Sequence, residues 1–177
     1  MSTSPQSSRQ YLIAAVADTM RTFMAHAVLF QDAVAKSVGL NSTDLQCANL
    51  LLLRGPATPG ELAEWSGLTA GGAITSVVDR LARAGLVRRS RDTVDRRRVV
   101  VVPDTQEMWR RVGPRYVRVA ERWNGYLETL TDDQIAFANT LLRRASDINA
   151  EQIEWLRGTA GRDPGPPSAP YRQIIRE

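Results

Sequence analysis

The chain has 177 residues, a formal net charge of +4 and 43% apolar residues, which is the composition of a globular protein with one core. A single cysteine excludes an intrachain disulfide. We find no apolar run long enough to span a bilayer, and the serine-rich start lacks the apolar segment of a secretory signal. A cytoplasmic protein without membrane contact is therefore expected.

Catalytic and metal chemistry have little support in the sequence. The only histidine, His26, falls in the middle of the first predicted helix beside core positions, which is a poor place for a catalytic base. No group of His, Cys and carboxylate residues has metal-ligand spacing, and Gly71-Gly72 lacks the lysine of a phosphate-binding loop. We expect no enzyme, no metal and no cofactor.

Residues 1–40 are predicted to form a long dimerisation helix. Its apolar positions step three and four alternately, which is the heptad pattern of a helix packed against another helix. These positions are Ile13, Val16, Met20, Phe23, Ala27, Phe30 and Val34. Gly39 ends this helix, and Asn41 or Ser42 caps a shorter one that reaches about Arg54.

Two short helices joined by a tight turn are predicted in the middle of the chain. Thr58 can cap the first, with Pro59 at its first position and Glu61 completing a capping box. Gly67 stands where a helix commonly ends in the left-handed conformation, and Thr69 is expected to cap the second helix. The pair predicts a helix-turn-helix.

The second helix of this pair has an apolar stripe and a polar outer face. The first turn of the outer face is almost free of bulky side chains, so backbone amides and the helix dipole can approach a phosphate or base edge. Close packing against the preceding helix is the other explanation of Gly71-Gly72. The predicted DNA contacts of this helix are Thr69, Ala70, Gly71, Gly72, Thr75, Ser76, Asp79, Arg80 and Arg83.

A β-hairpin wing follows, with strands predicted over residues 87–91 and 96–102. Eight arginines lie between Arg80 and Arg98. Guanidinium groups on a protruding tip suit the narrow, electronegative minor groove of DNA, whereas the alternative is a solvated hairpin whose charges prevent edge pairing. Asp95 is expected to orient a neighbouring arginine. The residues assigned to the wing surface are Arg89, Arg91, Asp92, Asp95, Arg96, Arg97 and Arg98.

Residues 104–158 predict two further dimerisation helices. Asp104 with Glu107 caps the first, and Thr131 with Gln134 forms a capping box for the second. Both have apolar stripes at helical spacing. Together with the first helix they present more apolar surface than the small central module can cover. Packing within one chain would explain any single stripe, but the whole set predicts a homodimer.

The predicted fold is mainly α with a small β-hairpin wing. A winged helix-turn-helix DNA-binding module, residues 41–103, is flanked by N- and C-terminal dimerisation helices. A two-fold dimer of such modules would read a palindromic operator with half-sites about 34 Å apart. Residues 159–177 are rich in Pro and Gly and predict a tail, either disordered or docked on the partner through Tyr171, Ile174 and Ile175.

The central motifs resemble those of the MarR family of bacterial transcriptional regulators (multiple-antibiotic-resistance type). The sequence LAEWSGLTAGGAITSVVDRLARAGLV is similar to the family's helix-turn-helix, and RDTVDRRRVVVV is similar to its wing. Asp92, Asp95, Arg96 and Arg97 fall on the characteristic wing-tip positions. The resemblance implies a homodimeric regulator, commonly a repressor, whose second helix lies in the major groove of double-stranded DNA while Arg96 or Arg97 enters the minor groove.

The resemblance also implies a small-molecule effector. Members of the family commonly release DNA when a small aromatic or phenolic anion binds between the dimerisation helices and the DNA module. The pocket here would draw on His26, Phe30, Trp109 and Tyr116, although aromatic residues at helical spacing also fit an ordinary core. Some members sense oxidants through a cysteine near the start of the first helix. Cys47 lies elsewhere and is expected to be a small buried side chain.

Two functions fit these observations. The first is a homodimeric, sequence-specific DNA-binding regulator. The second is a winged-helix scaffold for protein association, whose wing charges face an acidic partner and which binds DNA weakly or not at all. Changing Arg96 and Arg97 to alanine separates the two, because operator binding is lost only under the first.

Overall fold

The computed structural model describes residues 5–69, 71–92 and 95–159, and the side chains from residue 8 onward. The chain divides into two compact units, residues 1–120 and 121–177, which are described separately. The predicted class, mainly helical with one small hairpin, is confirmed. In chain order the elements are α1 (Pro5–Ser37), α2 (Ser42–Arg54), α3 (Pro59–Ser66), α4 (Gly72–Arg83), β1 (Val87–Arg91), β2 (Val99–Pro103), α5 (Thr105–Leu127) and α6 (Asp132–Gly158).

Side-chain caps fix most helix starts where the sequence predicts them. The Asn41 side chain accepts the Asp44 N–H at 2.8 Å, so α2 begins at Ser42. α3 and α6 each begin with the predicted capping box, on Thr58 and Thr131. Such caps satisfy backbone N–H groups that have no partner within the helix, which is why local sequence determines these boundaries.

The predicted start of the fourth helix is wrong. Thr69 does not cap it; the N-cap is Gly71, which makes no side-chain cap bond, and α4 begins at Gly72. Gly71 has φ +123° and ψ −134°, a conformation that is open essentially only to glycine. The turn between α3 and α4 is therefore longer than predicted, since the chain must reach this glycine before it can become helical.

The second wing strand also begins later than predicted, at Val99 instead of residue 96. Asp95 and Arg98 form a tight turn, in which the Arg98 N–H donates to the Asp95 carbonyl at 2.9 Å. The Asp92 N–H then donates to the Arg98 carbonyl at 3.0 Å and closes the loop. Arg96, Arg97 and Arg98 consequently belong to the wing-tip loop.

The hairpin is anchored to the rest of the module by an additional bridge. β1 and β2 are antiparallel, and Val101 also pairs with Ala57 through two backbone hydrogen bonds of 3.2 and 2.7 Å. Ala57 immediately precedes Thr58, the N-cap of α3. The base of the wing and the start of the helix-turn-helix are thus held together by the backbone.

One core serves α2, α3, α4, the hairpin, the last turn of α1 and the first turns of α5. Burial of each large aliphatic side chain contributes about 1.5–3 kcal/mol. α4 supplies Ile74, Val77, Val78 and Leu81, the stripe expected from its spacing. The largest wholly buried side chains of this core are five leucines, Leu45, Leu51, Leu62, Leu81 and Leu86.

The flanking helices are different, because most of their apolar side chains are exposed. α6 has 27 residues and none of them is buried. The predicted heptad stripe of α1 is exposed at its N-terminal end, where Ile13 is 59% and Val16 53% accessible, and enters the core only at Val34. The prediction of a tail over residues 159–177 falls, apart from Thr159, outside the described residues.

The expectation that no segment is apolar enough to span a membrane is wrong. Ser8–Ser37 of α1 is long and apolar enough by length and composition, and no residue in its most apolar stretch is buried. The heptad positions are supplemented by apolar residues beside them, among them Leu12, Val28 and Leu29, so more than one face of the helix is apolar. Helices that pack in soluble proteins can have the same length and composition.

Candidate nucleic-acid interface

The N-terminal half of α4 presents an exposed surface of small residues. Gly71, Gly72, Ala73, Thr75 and Ser76 are all exposed, and the buried stripe lies on the opposite side. The Thr75 hydroxyl donates to the Gly71 carbonyl at 2.9 Å and so remains close to the helix. No bulky side chain separates a ligand from the first amides of α4, where the helix dipole favours an anion. Of the predicted contacts here, Ala70 lies outside the described residues.

Arg80 is engaged inside the protein. Its guanidinium forms a bidentate ion pair with Asp44 of α2, with contacts of 2.7, 2.9 and 3.1 Å, and Asp44 is only 2% exposed. The hydrogen bonds to Asp44 raise the pKa of Arg80. The Arg80 side chain is thus directed at α2 and links α4 to that helix, and its predicted DNA contact stays a prediction.

Asp79 connects α4 to the wing. Its carboxylate accepts a 2.6 Å hydrogen bond from Arg89 of β1, and its carbonyl accepts one from the Arg83 Nε at 3.3 Å. Both side chains of the ion pair are about half exposed, so its contribution to stability is small. The ion pair braces α4 against the wing, and the DNA contacts predicted for Asp79 and Arg89 stay predictions.

A second brace links the wing to α3. Arg98 donates to Glu61 at 2.9 Å, and the same carboxylate accepts the Thr58 N–H at 2.7 Å in the capping box. The Thr58 hydrogen bonds, followed by Arg98, lower the pKa of Glu61. Glu61 thus completes the capping box of α3 and also restrains the wing. The sequence indicated the first role but not the second.

The wing tip leaves its other guanidinium groups free. Asp95 accepts the Arg97 backbone N–H at 3.0 Å, so it shapes the turn, in keeping with its expected orienting role. Among the residues that the structure describes, Arg91, Arg96 and Arg97 are exposed and their side chains have no hydrogen bond or ion pair. Asp92 closes the loop through its backbone. The tip therefore presents exposed guanidinium groups that have no side-chain partner among the described residues.

Asp44 is a functional candidate that we missed in the sequence. It stands at a core position of α2, four residues before Ala48 and seven before Leu51, and all three are buried. A carboxylate on an apolar stripe indicates a buried cationic partner, because an unpaired buried charge is very costly. That signal was present, but it does not say which arginine is the partner.

A cavity lies between α2 and α5, within the first unit, and its volume is about 420 Å³. Trp109 and Tyr116 line this α2–α5 cavity, and Phe30 packs edge-on against Tyr116 with ring centroids 5.5 Å apart. Of the four residues predicted to form an effector pocket, only Trp109 and Tyr116 line this cavity; Phe30 and the exposed His26 do not. The full lining is Asn49, Leu52, Thr105, Met108, Trp109, Val112, Gly113 and Tyr116.

Cys47 is wholly buried in the core, as expected for a small apolar side chain. Burial raises the pKa of its thiol, because desolvation disfavours the thiolate. The thiolate is the reactive form, so the environment suppresses reactivity. The structure gives no support to the alternative of a redox sensor.

Two short helices in a helix-turn-helix, followed by an antiparallel hairpin with free arginines at its tip, define a winged helix-turn-helix module. Residues 40–99, which cover most of this module, match the family model of the MarR family. The uncharacterized helix-turn-helix-type transcriptional regulator YcgE of Bacillus subtilis (strain 168) is 34% identical over 154 residues, spanning 87% of this chain and 99% of that protein. The chain belongs to the MarR family of transcriptional regulators, which are not enzymes.

Solved structures agree on the fold. A MarR family protein from Bacillus stearothermophilus has a TM-score of 0.63 at 21% identity, covering 80% of this chain and 97% of its own. Wild-type MarR from E. coli, in its apo form, has a TM-score of 0.53 at 20% identity, covering 73% and 94%. These similarities establish the winged-helix architecture.

Proposed function

We propose that two copies of this chain associate and bind an inverted-repeat operator in the cytoplasm as a ligand-responsive repressor of transcription. The observation that carries the proposal is the division of the arginines. Arg80, Arg89 and Arg98 are each held by a carboxylate, whereas Arg96 and Arg97 extend from the wing tip without a partner among the described residues. Unpaired guanidinium groups on a braced hairpin are suited to a polyanion.

In the proposed complex α4 lies in the major groove and the wing tip in the minor groove. The bare first turn allows the α4 backbone and the Thr75 and Ser76 side chains to approach base edges and phosphates. Arg96 or Arg97 enters the minor groove, where two rows of phosphates concentrate negative potential. Arg83 and Arg91 are both exposed, and in the proposed complex they contact the phosphate backbone.

The dimer is proposed from apolar surface that one chain leaves exposed. α1, α5 and α6 expose large apolar residues along most of their length. Soluble monomers rarely leave so many large apolar side chains exposed on each of several helices, and a second copy would cover them. A two-fold dimer presents two α4 helices, so its operator is an inverted repeat with half-sites about one helical turn, ~34 Å, apart.

The test begins by selecting bound duplexes from a random pool and measuring the dissociation constant of the winner at several salt concentrations. The double variant Arg96→Ala/Arg97→Ala should lose about 10- to 1,000-fold in operator affinity. The slope of log affinity against log salt should become shallower by about 0.9 for each phosphate that the protein no longer neutralises. Arg115→Ala is the matched control, since Arg115 is an exposed arginine on α5 with no side-chain partner among the described residues.

Binding that does not discriminate between sequences, or a salt slope near zero for the wild-type protein, would contradict the proposed function. If the wing variant binds DNA like the wild type, the wing charges serve another partner. The scaffold for protein association would then be the better account.

We place the effector in the α2–α5 cavity. Its size suits a single-ring compound, and its lining combines two aromatic residues with the polar side chains of Asn49 and Thr105. An effector acts only through its differential affinity for the DNA-binding and released conformations. Phenol and benzoate are simple probes: either should quench Trp109 fluorescence and weaken operator binding in the wild type. In Trp109→Phe the quenching should disappear. Unchanged operator affinity at saturating probe would exclude these compound classes.

A further inference from the structure

The ion pair between Asp44 and Arg80 is the most deeply buried charged contact that the described residues show. Asp44 lies in the first turn of α2, where its backbone N–H bonds the Asn41 cap and the helix dipole favours its carboxylate. Both carboxylate oxygens accept hydrogen bonds from Arg80, and the carboxylate is 2% exposed. No buried polar side-chain atom in the described residues lacks a partner.

Stability alone is a weak explanation of this pair. Removing the Asp44 carboxylate from water costs several kcal/mol, and replacing a buried ion pair by apolar residues of similar volume often gives an equally stable or more stable protein. A planar, bidentate contact instead provides direction, since the two groups align in only a narrow range of orientations. The pair is therefore better explained by the fixed orientation that it imposes on the two helices than by the stability that it adds.

The helix whose orientation this contact fixes is α4, the proposed recognition helix. The apolar stripe of α4 packs against the core through non-directional contacts, which tolerate small rotations and shifts along the helix axis. Arg80 stands one turn after Ser76, on the flank between the buried stripe and the exposed face, and ties that flank to α2. A rotation or shift of α4 would lengthen this contact, so the pair restrains both.

We propose that Asp44 and Arg80 are a positioning pair that fixes the orientation of α4 for base recognition, and that Arg80 itself does not contact DNA. The inference rests on the proposed function. It deepens that function by assigning sequence discrimination in part to residues that do not touch the operator.

The variant Asp44→Asn distinguishes positioning from direct contact. If Arg80 bound phosphate, this change would free its guanidinium and remove a nearby negative charge, so affinity for every duplex would rise. If the pair positions α4, operator affinity falls by roughly 10- to 100-fold, which corresponds to one or two base contacts. Affinity for a scrambled duplex, which depends on phosphate contacts, should stay nearly constant. Operator affinity equal to or tighter than the wild type overturns the proposal.

A second variant separates positioning from folding. Asp44→Leu/Arg80→Met replaces the charges by apolar side chains, which is expected to preserve the melting temperature while removing the directional contact. We expect this dimer to remain folded and still lose discrimination between operator and scrambled duplex. Wild-type discrimination in the folded double variant overturns the proposal. If neither variant folds, the pair serves the fold itself, and the positioning role is rejected.

Glu107→Gln is the matched control. It breaks another bidentate carboxylate–arginine contact, that with Arg110, on the exposed side of α5. This change should leave both affinities unaltered. The experiment also separates this inference from the proposed function. If the wild-type protein does not discriminate between operator and scrambled duplex, the proposed function fails. If the wild type and both Asp44 variants discriminate fully, only the positioning role of the pair fails.

Discussion

The central module and the last helix use their apolar residues in opposite ways. In α4, four of 12 residues are buried against the core of the same chain, whereas α6 has 27 residues and buries none. Both helices have apolar side chains at helical spacing, so the pattern alone does not distinguish them. An apolar stripe therefore predicts an apolar face, but not whether the same chain buries that face.

The largest effect is expected from a charge placed on the uncovered face of α6. Leu142 is 55% exposed, and Leu142→Glu should dissociate the proposed dimer, because the carboxylate would be buried without a partner. Operator affinity should then fall by about 100-fold or more, since two linked recognition helices become independent. Sedimentation equilibrium and operator titration measure the two effects.

Thr140→Glu is the control for that experiment. Thr140 is also exposed and lies two residues away, on the opposite side of the helix. It should leave association and DNA binding unchanged. A dimeric Leu142→Glu protein would show that α6 is covered in some other way.

The next prediction separates stability from function within α4. Gly71→Ala should destabilise the protein by about 1–3 kcal/mol, because alanine does not readily adopt φ +123°. Gly72→Ala should instead stabilise it by up to about 1 kcal/mol, since Gly72 is in the helix with open space around it.

The two glycines should differ in DNA binding as well. The added methyl group at residue 72 stands on the proposed DNA surface, so operator affinity should fall even though thermal stability rises. If Gly72→Ala binds the operator as tightly as the wild type, the first turn of α4 does not approach DNA closely.

A smaller effect is expected at Glu61, which joins the cap of α3 to the wing. Glu61→Ala should cost about 1 kcal/mol by removing the cap. Glu61→Gln keeps an acceptor for the Thr58 N–H and should cost less. Because the folded-state pKa of Glu61 lies below its ordinary value of 4.5, its carboxylate contributes stability above that pH.

The contribution of Glu61 is lost as the pH falls through the lowered pKa. The difference in unfolding free energy between wild type and Glu61→Gln should therefore shrink in acid. Urea titrations from neutral pH to about pH 3 measure it. A difference that grows in acid would mean that the carboxylate is not held by Thr58 and Arg98.

The smallest effect is expected at Cys47, inside the module. Iodoacetamide should not label the folded protein within minutes but should label it readily in denaturant, because burial suppresses the thiolate. Cys47→Ala should leave the operator affinity unchanged. Rapid labelling of the native protein would restore the hypothesis of a redox sensor.

Local features could be predicted from the sequence, and features set by distant contacts could not. The capping boxes on Thr58 and Thr131 were predicted correctly, since a cap involves residues only three apart. The start of α4 was missed because its position follows from the backbone conformation of Gly71. A hydroxyl at Thr69 is only a local preference.

The candidate site also combines local features that the sequence predicts with distant contacts that it does not. An arginine-rich hairpin tip was visible in the sequence, but spacing could not say which arginines are paired. Arg80 meets Asp44 across 36 residues and Arg98 meets Glu61 across 37, so only the tertiary fold reveals these partners. Arg96 and Arg97, which have no side-chain partner among the described residues, are the part of the prediction on which the proposed function now depends.

The most direct test of the account is the mass and symmetry of the complex with a selected duplex. We predict two chains on one duplex, whose sequence is an inverted repeat with half-site centres about 34 Å apart, and much weaker binding to a single half-site. One chain bound to an asymmetric site with undiminished affinity would contradict the account.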